Sequence, residues 1–215
     1  MNVGLRVHES NRRKAVWGGV IGRTVTALAV VAVTSSCGDL QREGTASSYL
    51  IINALEAASG AEPTQFGGTL QSDVVTVVND VPTIFNDVGR VRFTLAMKDP
   101  GSAQSATSPT TANFITVDRY RVKYIRADGR NMPGVDVPYP FDGAFTATVS
   151  QETSVGFELV RHIAKQEAPL AALARSPVII STFAEVTFYG HDQTGREVSV
   201  VGRITVDFGN FGDPG

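Results

Sequence analysis

The side chains that could do chemistry in this chain are few and scattered. His162 and His191 lie far apart, and no Gly-x-Ser-x-Gly, Gly-x-x-x-x-Gly-Lys or His-Glu-x-x-His accompanies them. Such a pair could serve as a general base only in a triad assembled from distant positions. Asp80, Asp87, Asp128, Asp136, Asp142, Asp192 and Asp213 could offer oxygen to a hard cation, but no segment has the dense Asp/Asn alternation of a calcium loop. Most of them read as turn residues, which Asp favours on conformational grounds. Neither a metal nor a cofactor is expected.

Two surface features could bind instead of react. Arg119, Arg121 and Lys123 recur at every second position, so a strand puts them on one face, with Arg126 nearby. Such a row could grip a polyanion, or could be a solvated face paired with acids on a neighbouring strand. Tyr139 and Phe141 stand beside Asp142 in the loop Arg130–Gly143, which Pro133, Pro138 and Pro140 stiffen. Aromatic rings on a rigid loop could form a platform for a sugar or peptide, or could seal one end of the core.

The only cysteine, Cys37, follows an apolar run of 11 residues, Thr24–Thr34, with Arg6, Arg12, Arg13, Lys14 and Arg23 upstream. Basic segment, short apolar segment and small residues, in that order, are the layout of an export signal. A spanning helix needs about 20 apolar residues. Extending this run back to Ala15 would bury Arg23, at about 2.5–3.5 kcal/mol. The ending Val33-Thr34-Ser35-Ser36-Cys37 resembles the lipobox of bacterial lipoproteins. That resemblance implies acylation of Cys37, which becomes the first residue of the mature protein and ties it to the lipid bilayer. The alternative is a plain cleaved secretory signal, because Thr34 stands where a lipobox more often has Leu. Arg12-Arg13 lacks the flanks of a twin-arginine signal. Gly38 follows the cysteine, where Asp would favour inner-membrane retention, so the resemblance implies outer-membrane delivery in a two-membrane cell. In either case the body faces the periplasm or the cell exterior.

Five of the 19 basic residues and one of the 21 acidic ones lie in residues 1–37, leaving 14 against 20 in the body. A net charge near −6 argues against nucleic acid, which requires a clustered positive surface. With Cys37 acylated, no disulfide or cysteine-based zinc site remains.

Residues 1–36 thus read as the signal, 37–71 as a lipidated spacer with one short helix, and 72–215 as the folded domain. The helix is expected over Ser47–Ala58, where Leu50, Ile51, Ala54, Leu55 and Ala58 fall at spacings of three and four. Beyond Ser72 the period is two. Strands are expected at Val74–Val78, Val91–Met97, Tyr120–Tyr124, Phe145–Val149, Gly156–Ala164, Ala184–Tyr189 and Val198–Phe208. Asp99–Asn113 reads as a polar loop, and Ala168–Pro177 as one helical turn. Seven strands with turn signals between them predict an all-β antiparallel sandwich. The closing stretch Thr187–Val200, with its Asp192-x-x-Gly195 turn, resembles the final hairpin of bacterial immunoglobulin-like domains. The expected role is a non-enzymatic binding or structural module that meets an envelope protein or glycan. A carrier or receptor for a small or glycan ligand is the alternative, and a hydrolase built on His162 or His191 comes third.

Overall fold

The computed structural model describes residues 46–211. Cys37 and the signal segment lie outside the described residues. The chain runs through β1 (Ser48–Ala58), β2 (Thr69–Asp73) and a small hairpin of β3 (Thr76–Val78) and β4 (Val81–Thr83). Then come β5 (Asp87–Met97), a second small hairpin of β6 (Gly101–Ser102) and β7 (Ser105–Ala106), and β8 (Ile115–Ile125). The remainder is β9 (Phe141–Val149), β10 (Thr153–Val160), a helical turn α1 (His162–Lys165), β11 (Ile180–Asp192) and β12 (Glu197–Gly209).

Two sheets face one another, one ordered β1-β5-β10 and the other β2-β12-β11-β8-β9. All pairings in them are antiparallel except β2 with β12, which is parallel. The two sheets form an all-β sandwich, with β1 at the edge of one and β2 at the edge of the other. The expected all-β, mainly antiparallel sandwich is present, and β2 with β12 adds a parallel pairing at one edge.

The expected helix at 47–58 is a strand. β1 pairs with β5 from Ser48↔Met97 to Ala58↔Val88, with an irregularity between Ile52 and Ala54. Asn53 is the extra residue there. A bulge shifts the inward-facing residues by one, so apolar side chains on either side of it fall at helix-like spacings. The folded domain therefore begins before residue 72. β10 also stops short of Ala164, because His162–Lys165 turn as α1. The expected turn near 168–177 is present as a short 3-10 helix, Leu170–Arg175. Within Asp99–Asn113, the β6–β7 hairpin interrupts the expected loop.

Alternation drives one face of each strand inward. On β11, Ala184, Val186 and Phe188 are buried, and Ile204, Val206 and Phe208 answer them from β12. Aromatic rings join the two sheets at the centre. Phe93 of β5 meets Phe188 of β11 edge-to-face at 5.0 Å. Phe157 of β10 touches both Phe188 at 5.3 Å and Tyr120 of β8 at 5.1 Å. Antibody domains tie their two sheets together with a buried disulfide. Here two fully buried phenyl rings make that link through packing. Such edge-to-face pairs contribute about 0.5–1.5 kcal/mol beyond the area they bury.

One end of the sandwich is held by polar groups. The Asp87 carboxylate is fully buried at the start of β5 and accepts from Lys165 Nζ, Ser72 Oγ and the Gly60 amide at 3.0, 2.6 and 2.9 Å. It therefore joins α1, β2 and the segment after β1. Nearby, Tyr124 donates its hydroxyl to the Leu159 carbonyl at 2.7 Å. Burial of its ring, aided by the negative Asp87, pushes the phenol far above its ordinary range.

Candidate functional site

The alternation of β8 breaks once, at Asp118. Against β11, Val117 pairs with Gly190 and Arg119 with Tyr189, leaving Asp118 without a partner. Against β9, the register jumps from Ala147 to Ala144 across the same residue. Asp118 is thus the extra residue against β11 and is opposed by two residues, Phe145 and Thr146, of β9, and it and Arg119 are consecutive exposed residues on the outer face. Gly190 makes room for this. A Cβ there would stand 2.3 Å from the Thr116 carbonyl oxygen, so a side chain would push the strands apart.

The bulge builds a cleft of about 610 Å3 on the outer face, lined by Asp118, Arg119, Tyr189, His191, Glu197 and Ser199. His191 Nδ1 lies 3.3 Å from Asp118 Oδ2, and both side chains are about half exposed. Arg119 lays its guanidinium 4.2 Å above the Tyr189 ring. His191 and Glu197 stand opposite one another at the end of the β11–β12 hairpin.

The hairpin is itself fixed by Asp192. Its Oδ1 accepts from the Thr194 amide and hydroxyl at 2.9 and 2.6 Å and from the Arg196 amide at 3.0 Å. Burial alone would raise the Asp192 carboxyl. The hydrogen bonds from Thr194 and Arg196 outweigh burial and hold it below the usual carboxylate range. Gly195, at φ +82°, supplies the left-handed position the turn requires.

The basic row lies on the same outer face but is interleaved with acids. Arg121 pairs with Asp142 at 2.9 Å. Lys123 stands opposite Glu185, which accepts from Arg203 at 2.7 Å. Arg126 grips Asp128 at 2.6 Å, and Arg130 reaches the same carboxylate at 2.8 Å. Hydrogen bonds from Arg126, then Arg130, hold the Asp128 carboxyl far below its usual range.

Tyr139 and Phe141 do not share a platform. Phe141 opens β9 with its ring buried, 6.3 Å from the Tyr120 ring and beneath the Arg161 guanidinium at 4.5 Å. Tyr139 is exposed and covers Gly134, where a Cβ would meet its hydroxyl. His162 is engaged by Asn86, whose side-chain oxygen lies 2.9 Å from Nδ1. Among the described residues, no three His, Cys, Asp or Glu side chains are placed to hold a metal ion.

Exposed apolar side chains gather at one end. β1 enters beside the connection between β5 and β8, where Ser48 Oγ donates to the Asn113 carbonyl at 2.7 Å. The β11–β12 hairpin reaches the same end, with Gln193 Nε2 3.3 Å from the Phe114 carbonyl. Of the ten large hydrophobic side chains exposed among the described residues, nine lie at the opposite end and only Val201 does not. They include Val81 in the β3–β4 hairpin, Met132, Val135 and Tyr139 before β9, Ile163 in α1, and Val178 and Ile179 before β11.

No family model, curated protein or solved structure matches this chain.

Strand alternation alone does not reveal the cleft, because its residues converge only through the pairing of β8, β11 and β12. Two successive polar residues, Asp118 and Arg119, between the inward Val117 and Tyr120 were the available signal.

Proposed function

We propose that this chain is an envelope lipoprotein, acylated at Cys37, whose sandwich is a non-enzymatic binding module. The observation that carries this reading is the gathering of exposed apolar side chains at the end remote from the entry of β1. Exposed apolar side chains concentrated at one end of a domain can mark a docking surface. Cys37 precedes Ser48 by 11 residues. At about 3.3–3.6 Å per residue, that segment spans at most on the order of 40 Å. A lipid at Cys37 would tether the chain through the β1-entry end, and the apolar end is the surface proposed to meet an envelope protein. The body needs no membrane-spanning segment of its own, since several acyl chains anchor durably.

A hydrolase draws support from the Asp118–His191 contact, which gives the imidazole an acid. However, Ser199 makes no hydrogen bond to His191 among the described residues, and nucleophilic catalysis needs that reach. Binding is the reading the geometry favours.

The test places a photo-cross-linking residue at Val135 and, as a control, at Val201 in cells. A single adduct of defined mass at Val135, lost in Met132→Lys and absent at Val201, supports docking. Equal adducts at both positions, or none at Val135, count against it.

A further inference from the structure

We infer that the Asp118–His191 cleft is a binding subsite for a neutral, hydroxyl-rich ligand, the chemistry of a short oligosaccharide. The inference is independent of docking at the apolar end, because the cleft lies on the outer face of the five-stranded sheet. Its lining narrows the ligand class. Asp118 and Glu197 are carboxylates and accept hydrogen bonds only. Arg119 is the one permanently cationic side chain among the lining residues, and its guanidinium is already stacked on Tyr189.

A polyanion would meet two like charges against one cation. An apolar ligand would strip water from both carboxylates and return no hydrogen bond. A lysine-rich peptide would face the Arg119 cation in the lining. A polyol satisfies every group. Its hydroxyls donate to Asp118 and Glu197 in short, charge-assisted bonds, and its oxygens accept from Arg119. With Nδ1 of His191 held against Asp118, Nε2 is the ring nitrogen left to meet a hydroxyl. Ser199 adds a group that both donates and accepts.

The support is rigid, which makes such a weakly apolar site workable. Asp118 and Arg119 sit on β8, Tyr189 and His191 on β11, and Glu197 and Ser199 on β12. The strands fix the backbone positions of these side chains, so only their rotamers are left to order on binding. The volume, about 610 Å3, falls within the range of small-molecule sites.

The test titrates the 15N-labelled protein with chitotetraose, cellotetraose and maltotetraose up to about 10 mM, the weak end of specific binding. A tetralysine peptide and a sulfated disaccharide serve as comparisons. Saturable shifts at the Asp118, Tyr189, His191 and Glu197 amides with at least one neutral sugar are expected. Asp118→Asn and Glu197→Gln, which keep size and fold, each weaken that sugar about tenfold or more. Lys123→Gln, on the same face outside the cleft, leaves it unchanged. No shift with any neutral sugar, binding that persists undiminished in Asp118→Asn and Glu197→Gln, or preference for tetralysine or the sulfated disaccharide would overturn the inference.

Discussion

Lys165 Nζ lies 3.0 Å from Asp87 Oδ1 and 2.9 Å from Oδ2, with the two side chains 1% and 0% exposed. The ammonium comes from α1 and the carboxylate from the start of β5, so the pair fixes the long β10–β11 connection to the body. Removing one partner of a buried pair strands the other charge, at about 3–5 kcal/mol. Lys165→Met should lose that much in urea unfolding. Asp87→Asn combined with Lys165→Met should lose less than Lys165→Met alone, because no charge is left stranded. A loss below about 1 kcal/mol for Lys165→Met would deny the pair its role.

The Phe93–Phe188 contact should behave as the central tie between sheets. Phe188→Ala is expected to cost about 3–5 kcal/mol, the range for deleting a buried aromatic ring. Phe183→Ala, an exposed position on the same strand, should cost far less. Chemical denaturation of both variants makes the comparison.

Gly190 predicts a backbone clash. Gly190→Ala should cost about 1–3 kcal/mol, as overpacking does. At Gly156 an added Cβ would find nothing closer than the Gly89 carbonyl oxygen at 3.9 Å, so Gly156→Ala should be near neutral. Thermal unfolding distinguishes the two. Similar losses at both positions would contradict the tight approach of β11 to β8.

Asp192 gives a pH dependence of definite sign. Its folded carboxyl titrates below the unfolded value, which is about 3.9. The folded state is therefore favoured above that value, and the gain is lost as pH falls through the lower folded value. Asp192→Asn should be less stable than the parent at pH 6, and the gap should narrow between about pH 4 and pH 2. A gap that is constant or widens on acidification would show that the charged form is not the stabilising one.

Most strands were legible because each has one buried and one wet face, and a period of two is hard to disguise. β11 and β12 alternate almost without interruption. The first strand was illegible for a definite reason: Asn53 bulges, and the residues around it mimic a helical stripe. Only pairing with β5, ten residue pairs separated by 30 to 49 positions of sequence, settles its state. The small parallel strand β2 has no pattern of its own, since its five residues acquire meaning only beside β12. The cleft was half legible. Arg119 stood out by its charge, whereas Asp118, Tyr189 and His191 are brought to it by a second bulge that interrupts β8.

The role proposed for this molecule depends first on its attachment. Mass spectrometry of the N-terminal peptide from protein expressed in a bacterial host, with membrane fractionation of wild type and Cys37→Ala, tests that attachment directly. The account predicts a mature chain that begins at Cys37, carries acyl mass and sediments with membranes, and a variant that does not. A wild-type chain that keeps residues 1–36, or begins elsewhere without acyl mass, would contradict it.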